Sequence, residues 1–252
     1  MSRLLRQFAT GFAFACFGVG GLLLRIVYFP LLGLLVRDSA RRTRLARRAV
    51  QRSFAQFVML MEGLGLIRVE FDGLDKLQRG GMLLLPNHPT LIDVVILMAR
   101  VRNADCVVKA SLARNPFTRG PVRACGYITN DAGPELIEAC QASLAAGGNL
   151  VIFPEGTRTR PGEPLHLQRG AAQIAARLGR DVTPVLIRCE PRGLTKGQPW
   201  WRVADQALHF RLEVCDDVAI APYLHGAAGE PSLAARRLNA YLRAVYSEIQ
   251  GA

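Results

Sequence analysis

Hydrophobic and polar positions divide the chain into an apolar N-terminal segment and a longer body with alternating patterns. The segment has 17 mostly apolar residues from Phe8 to Leu24, then Arg25, then 11 more from Ile26 to Val36. A helix that spans a bilayer needs about 20 apolar residues. The first run alone is therefore marginal, and the two runs together are long but interrupted by a charge. The pattern predicts a helical membrane anchor.

From residue 67 onward, short apolar runs alternate with segments of helical periodicity. Strands are predicted at Ile67–Phe71, Met82–Leu85, Cys106–Lys109, Tyr127–Thr129, Leu150–Pro154, Thr183–Arg188 and Leu208–Val214. Helices are predicted at Leu91–Arg102, Pro116–Ala124, Pro134–Ala146, Arg169–Leu178 and Ser232–Ile249. Unbroken apolar strands are typical of a parallel sheet that is covered on both faces. The body therefore predicts a single α/β domain with a mostly parallel central sheet flanked by helices, and with sites at the carboxyl ends of its strands.

Charge is distributed unevenly between the two parts. Residues 1–56 carry nine of the twelve net positive charges, and seven Arg lie between positions 37 and 52. The remaining 196 residues carry a net charge of only +3, which argues against a body that binds nucleic acid. A helix over residues 45–66, ended by Gly63 or Gly65, is predicted to lead from the membrane interface into the domain. We place the anchor and this basic amphipathic helix at residues 1–65 and the α/β domain at 66–252.

Three interpretations of the anchor remain open. It is a signal peptide, one tilted spanning helix, or two helices that break near Arg25–Pro30 and dip into one leaflet without crossing. Basic residues stay on the cytoplasmic side of a membrane and attract anionic headgroups, at about 1 kcal/mol per residue. Because both ends of the segment are basic, the broken pair is favoured. The domain is then expected on the cytoplasmic side of the inner membrane.

The first motif whose side chains could take part in catalysis is Pro-Asn-His-Pro-Thr-Leu-Ile-Asp at residues 86–93. It follows one predicted strand and leads into a helix. Asp93 lies five residues after His88, where the chain can bend back and bond one ring nitrogen. Such a carboxylate fixes the tautomer of the imidazole and leaves the other nitrogen free to accept a proton. Alone, the motif is a weak signal and favours an Asp that caps a helix beside a surface His.

The second motif is Phe-Pro-Glu-Gly-Thr-Arg at residues 153–158, at the end of another predicted strand. Arg158 can bind an anion through two parallel hydrogen bonds, and Glu155 can bond a hydroxyl or orient an Arg. Alone, this motif also describes an ordinary turn with a surface Arg.

Together, Asn-His-x4-Asp and, about 60 residues later, Phe-Pro-Glu-Gly-Thr-Arg resemble the glycerolipid (1-acyl-glycerol-3-phosphate) acyltransferase superfamily over roughly residues 66–190. The resemblance implies that His88 is the general base and Asp93 its orienting partner. It implies a substrate-binding set of Glu155, Gly156, Thr157, Arg158 and, upstream, Lys109. The expected reaction moves a fatty acyl group from acyl-CoA or acyl carrier protein to a lipid hydroxyl, without a cofactor or metal.

One position departs from this family pattern. Where the family usually has an Arg that helps to bind the acceptor phosphate, this chain has Asn130 and Asp131. An Asn can donate a hydrogen bond but cannot neutralise a phosphate, and Asp131 repels one. Asn130 is kept as a substrate-binding candidate, and Arg119, Arg123 and Arg160 are candidates for the missing charge. Two acceptors remain open: a lysophospholipid, or a less anionic lyso-amino-lipid or polyene lipid.

Two other functions compete with acyl transfer to a lipid. One is a non-catalytic lipid-binding protein with the same fold, and the other is a hydrolase that passes the acyl group to water. The six cysteines form no C-x-x-C pair, which favours buried reduced thiols over a zinc or disulfide framework. The resemblance implies membrane lipids and an acyl carrier as partners, and the near-balanced charge of the body argues against nucleic acid.

Overall fold

The two apolar runs of the N-terminal segment form one continuous helix. The protein is described by a computed structural model that covers residues 2–115, 118–131, 133, 135–160, 162–227 and 230–250. Helix α1 (Arg3–Leu23) passes into a π-helical stretch, Leu24–Tyr28, and continues as α2 (Phe29–Leu35). The ring of Pro30 would clash with a carbonyl of the preceding turn in a regular α-helix, and the wider π turn lies directly before it. The prediction of two helices broken near Arg25–Pro30 is therefore wrong.

Helix α3 (Ser39–Gly63) folds back along this N-terminal helix. It begins earlier than the predicted helix over 45–66, because an Asp38 side-chain oxygen accepts a hydrogen bond of 2.5 Å from the Arg41 N–H and caps the first turn. Phe14 and Phe17 of α1 pack against Phe57 of α3, with ring centroids 5.8 and 4.6 Å apart. The apolar helix therefore lies along the domain with one side packed against it.

All seven predicted strands are present. They are β1 (Ile67–Asp72), β2 (Leu83–Pro86), β3 (Ala104–Val108), β4 (Ile128–Thr129), β5 (Asn149–Val151), β6 (Thr183–Glu190) and β7 (Leu208–Val214). They form one sheet in the order β1-β7-β6-β2-β5-β3-β4. Five of its six neighbouring pairs are parallel, and β6 with β7 is antiparallel. The predicted α/β fold with a mostly parallel sheet is confirmed.

The body helices agree with the prediction best where they are long. They are α4 (Asp93–Met98), α5 (Ala110–Arg114), α6 (Arg119–Ala124), α7 (Glu135–Ala145), α8 (Arg169–Leu178), α9 (Ala221–His225) and α10 (Pro231–Gln250). The bounds of α8 are those predicted, whereas α4 is shorter than the predicted Leu91–Arg102. The short α5, α9 and a 3₁₀ stretch at Leu74–Gln78 were not predicted. The predicted helix starts at Pro116 and Pro134 lie outside the described residues.

Alternate residues of the central strands point into two separate cores. In β2, Leu84 belongs to the core under α1, α3 and α4, while Leu83 and Leu85 belong to the core under α7, α8 and α10. This is the two-residue period of a strand that is buried on both faces. We call the first side the anchor face of the sheet and the second side the opposite face.

The arginines of α3 divide between two roles. Arg47 points inward: its Nη2 lies 2.5 Å from Asp105 Oδ2 on β3, and its Nε donates to the Cys125 carbonyl at 2.9 Å. Burial raises the pKa of the Asp105 carboxyl, and Arg47 opposes that rise. By contrast, Arg41, Arg44, Arg48 and Arg52 are exposed at helical spacing. One predicted lipid-facing Arg is therefore a clamp between α3 and the sheet, and the others form a basic stripe.

Candidate active site

The candidate residues converge at the carboxyl edge of the sheet because the loops that carry them follow neighbouring parallel strands. His88 follows β2, residues 153–158 follow β5, Lys109 follows β3, and Asn130 follows β4. These loops line one cleft of about 1140 Å³. Of the eight predicted site residues, seven line this cleft: His88, Lys109, Asn130, Glu155, Gly156, Thr157 and Arg158. Asp93 lies behind His88, fully buried.

His88 and Asp93 are in direct contact. His88 Nδ1 lies 3.0 Å from Asp93 Oδ2, and the imidazole is 17% exposed. When Nδ1 donates to the carboxylate, Nε2 is the ring nitrogen that can accept a proton. The pair therefore has the geometry of an oriented general base at the wall of a substrate-sized cleft.

Thr90 donates two further hydrogen bonds to the Asp93 carboxylate. The Thr90 N–H donates to Asp93 Oδ2 at 2.6 Å, and the Thr90 hydroxyl donates to Oδ1. Complete burial raises the pKa of the Asp93 carboxyl, while the bonds from His88 and Thr90 favour its charged form. These bonds also explain why α4 begins at Asp93 and not at Leu91, since they hold the preceding residues in a tight turn.

Two further side chains fix the loop that carries His88. Glu155, which is 4% exposed, accepts the His88 backbone N–H at 2.6 Å and also the Thr159 hydroxyl. Asn87 bonds the backbone of Ile187 on β6 in both directions, donating at 2.9 Å and accepting at 2.6 Å. The loop is thus held from the strands on both sides of β2. A positioning contact of Glu155 was not predicted, and its expected contact with the acceptor stays a prediction.

The turn after β5 depends on Gly156. Its φ of +64° is in the left-handed region, which glycine adopts without strain. The turn brings Arg158 against the loop after β6, where Nη1 donates to the carbonyls of Leu194 and Thr195, each at 3.3 Å. Phe153 packs on the His88 ring at a centroid distance of 4.6 Å. Thr157 is exposed in the cleft.

Lys109 and Asn130 lie together at the side of the cleft formed by β3 and β4. Asn130 Oδ1 accepts the backbone N–H of Ala110 at 3.1 Å, at the start of α5 directly after Lys109. Asn130 therefore orders the loop beside Lys109. In the described chain, no group of three His, Cys, Asp or Glu side chains is placed to hold a metal ion.

The cleft also includes side chains that the sequence interpretation did not select. Arg169 begins α8, and Asn239 and Arg243 project from α10, far away in the sequence. They follow no motif with a characteristic spacing, and the packing of α10 on α8 brings them to the site. Only the spacing of Asn239 and Arg243, four residues apart on one helix, indicates a shared face.

Comparison with known proteins gives consistent results. Residues 68–188 match the model of the family described as Acyltransferase. A 1-acyl-sn-glycerol-3-phosphate acyltransferase of Helicobacter pylori is 30% identical over 129 residues, or 48% of this chain and 54% of the relative. One of Pseudomonas aeruginosa is 26% identical over 188 residues, or 72% and 68%. The crystal structure of a 1-acyl-sn-glycerophosphate acyltransferase from Thermotoga maritima superposes with a TM-score of 0.68, at 19% identity and 98% coverage of both chains.

These comparisons differ in what they establish. The match covers 54% of the Helicobacter relative and 36% of a chloroplastic relative from Arabidopsis thaliana, so the chain spans about half or less of the length of such relatives. The structural likeness to the Thermotoga protein, at its low identity, establishes the fold alone.

Proposed function

We propose, from the match of residues 68–188 to the Acyltransferase family and from the similarity of the chain to 1-acyl-sn-glycerol-3-phosphate acyltransferases, that the chain transfers a fatty acyl group from an acyl thioester to the hydroxyl of a membrane lipid. The superfamily predicted from the two motifs is confirmed. The observation that carries the proposal is the contact of 3.0 Å between His88 Nδ1 and the buried Asp93, at the wall of the cleft into which both motifs open.

The proposed reaction is a direct displacement at the thioester carbonyl. His88 Nε2 takes the proton of the lipid hydroxyl as its oxygen attacks the carbonyl carbon, and Asp93 stabilises the imidazolium that forms. The C–S bond then breaks, and the leaving thiolate takes the proton from His88. General base catalysis contributes about 10²–10⁴-fold, and holding both substrates in line contributes much of the remainder.

The proposed acceptor is a lysophospholipid of the 1-acyl-glycerol-3-phosphate type, as the names of the similar proteins suggest. Arg158 supports this choice, since it lies in the cleft with donors that suit a phosphate. Asn130 and Asp131 favour the alternative, because they occupy the positions where the family usually has an Arg and add no positive charge to that of Lys109. A lipid acceptor without a phosphate, such as a lyso-amino-lipid, is therefore the second candidate.

We propose that the N-terminal helix binds the cytoplasmic leaflet of the inner membrane. Residues Arg3–Leu35 form a helix that is long and apolar enough to cross a membrane, with little of it buried against the protein. Leu22, Ile26 and Leu34 are among its exposed apolar side chains. The basic stripe on α3 lies beside this surface, where it can bind anionic headgroups.

The test is to incubate the membrane-bound protein with a panel of lysolipids and a labelled palmitoyl donor, either palmitoyl-CoA or palmitoyl-loaded acyl carrier protein. The products are identified by mass spectrometry. We expect one acylated lysolipid, which His88→Ala abolishes and the exposed His225→Ala leaves unchanged. Thioester consumption without an acylated lipid would identify a hydrolase. Lipid binding without turnover would identify a non-catalytic protein.

A further inference from the structure

The cleft carries more positive charge than the proposed chemistry at His88 uses. Basic side chains from four parts of the chain line it: Lys109, Arg158, Arg169 and Arg243. Among the described residues of the lining, Glu155 is the one acidic side chain, and its oxygens are occupied by the His88 N–H and the Thr159 hydroxyl. Since the chain after residue 56 has a net charge of only +3, this concentration of charge indicates an anionic ligand.

Two of these arginines lie on the opposite face of the sheet. Arg169 is the first residue of α8 and Arg243 lies on α10, and both helices pack on the core of that face. Both side chains are exposed, and within the described residues neither has an acidic partner. They are available for a ligand that enters the cleft from the side away from the anchor.

Asn239 supplies a second, independent observation. It lies one turn before Arg243 in the cleft wall and is 6% exposed. Its Nδ2 donates to the Leu167 carbonyl at 3.4 Å, while its Oδ1 is buried and has no donor among the described residues. A buried acceptor without a donor is unfavourable. A ligand N–H, met by a small turn of the Asn239 side chain, would offset that cost.

We propose that Asn239, Arg169 and Arg243, called the carrier wall below, bind the carrier of the acyl donor. The two arginines bind its phosphate, and Asn239 accepts an amide N–H of its pantetheine arm. This inference rests on the proposed function, since it assigns the second substrate of the same cleft.

The two faces of the sheet favour the donor over the acceptor at this wall. The exposed apolar helix and the basic stripe of α3 lie on the anchor face, so a lipid acceptor reaches His88 from that side. Coenzyme A and acyl carrier protein are water-soluble and anionic, and both hold the acyl group on a phosphorylated pantetheine arm that contains amides. They approach from water, which lies at the opposite face.

Steady-state kinetics with two donors separate the two kinds of contact. Palmitoyl-CoA carries phosphates, whereas palmitoyl-pantetheine carries the amides without them. The double variant Arg169→Gln with Arg243→Gln is expected to raise the KM for palmitoyl-CoA by about 10–100-fold, as for loss of charge-assisted hydrogen bonds, without changing the KM for palmitoyl-pantetheine. Asn239→Leu is expected to raise both. Arg236→Gln, on the same helix outside the cleft lining, is the matched control and should change neither.

Binding of free coenzyme A, measured by titration calorimetry, tests the wall without turnover. Wild-type and His88→Ala proteins should bind it alike, added salt should weaken binding, and the double Arg variant should lose about tenfold or more in affinity. Equal affinity of the wild type and the double variant would overturn the proposal. So would a raised KM for the lysolipid with an unchanged KM for palmitoyl-CoA, since the phosphate would then belong to the acceptor. Arginine-dependent binding without transfer to any lipid would support the wall and refute the proposed function.

Discussion

Asp93→Asn tests the proposed mechanism because it removes a charge and leaves the shape almost unchanged. Asp93 Oδ2 accepts from His88 Nδ1 at 3.0 Å and from the Thr90 N–H at 2.6 Å, and Oδ1 accepts from the Thr90 hydroxyl. An Asn can present its carbonyl oxygen to the first two donors. The Thr90 hydroxyl can then rotate and accept from the new amide. The tautomer and position of His88 are therefore expected to be preserved.

The expected loss of kcat follows from removing the negative charge of Asp93. Two unit charges 3.0 Å apart attract by about 5.5 kcal/mol at an effective dielectric constant of about 20. Because this attraction exists only when His88 is protonated, it stabilises the transition state over the ground state. The full value corresponds to about 10⁴-fold in rate. The cost of burying the Asp93 charge makes the net stabilisation of the transition state smaller than this attraction. We therefore expect kcat to fall by about 10²–10⁴-fold.

The free energy of unfolding of Asp93→Asn is expected to rise or to stay unchanged, although its kcat falls. Burial raises the pKa of Asp93 in the folded protein. Its ionisation therefore lowers the free energy of unfolding as the pH rises through the folded pKa, a penalty that Asn does not carry at neutral pH. The assay measures kcat for acyl transfer and the thermal midpoint of the same preparation. A kcat within about threefold of wild type would refute the role of Asp93. A loss of activity that only follows a lowered midpoint would indicate a structural role.

A control variant and three further predictions test other parts of the structure. Asp105→Asn breaks the buried ion pair with Arg47. It should lower the free energy of unfolding by about 3–5 kcal/mol and leave the kcat of the folded enzyme unchanged. Arg48→Gln with Arg52→Gln, on the basic stripe, should weaken binding to anionic vesicles about fivefold per residue in a sedimentation assay; equal binding would remove the stripe from the membrane surface. Tyr246→Phe removes the hydroxyl that donates to the Leu85 carbonyl at 2.5 Å and should lower the thermal midpoint by about 2–4 °C; an unchanged midpoint would contradict a stabilising bond. Hydrogen bonds from Arg79 lower the pKa of Asp217. Its contribution to stability is therefore present above its usual pKa of 3.8 and lost as the pH falls through the folded pKa. The free energy of unfolding of Asp217→Asn, measured from denaturation curves at several pH values, should accordingly fall less steeply than that of wild type as the pH drops below about 4. The same pH dependence in both proteins would contradict this.

The sequence was most informative where a pattern is local and repeated. Short apolar or alternating runs located all seven strands, and the periodicity of Arg169–Leu178 matched α8 residue for residue. The short spacing from His88 to Asp93 allowed their contact, and the second motif at residues 153–158 was needed to favour it over a helix cap beside a surface His. The resemblance carried by the two motifs predicted the superfamily.

The course of the N-terminal helix was decided by packing. Two apolar runs divided by Arg25, with Pro30 inside the second run, predicted a break. In the structure the side chain of Arg25 lies against Gly120 of α6, where an added Cβ would come within 2.9 Å of Arg25 Cγ. The stem of the Arg25 side chain therefore packs on the domain, and the π turn accommodates Pro30. Neither effect is visible in hydropathy, which counts residues without their partners.

By itself, the sequence determined the elements of the fold, the superfamily and the residues that lie at the strand exits, because these depend on local periodicity and short spacings. Only the tertiary structure decided which distant side chains share the cleft. Asn87 is tied to β6, Glu155 holds the His88 loop, and Arg243 reaches the cleft from the last helix. Such contacts depend on the order of strands in the sheet and on helix packing, in which residues about 70–160 positions apart in the chain become neighbours.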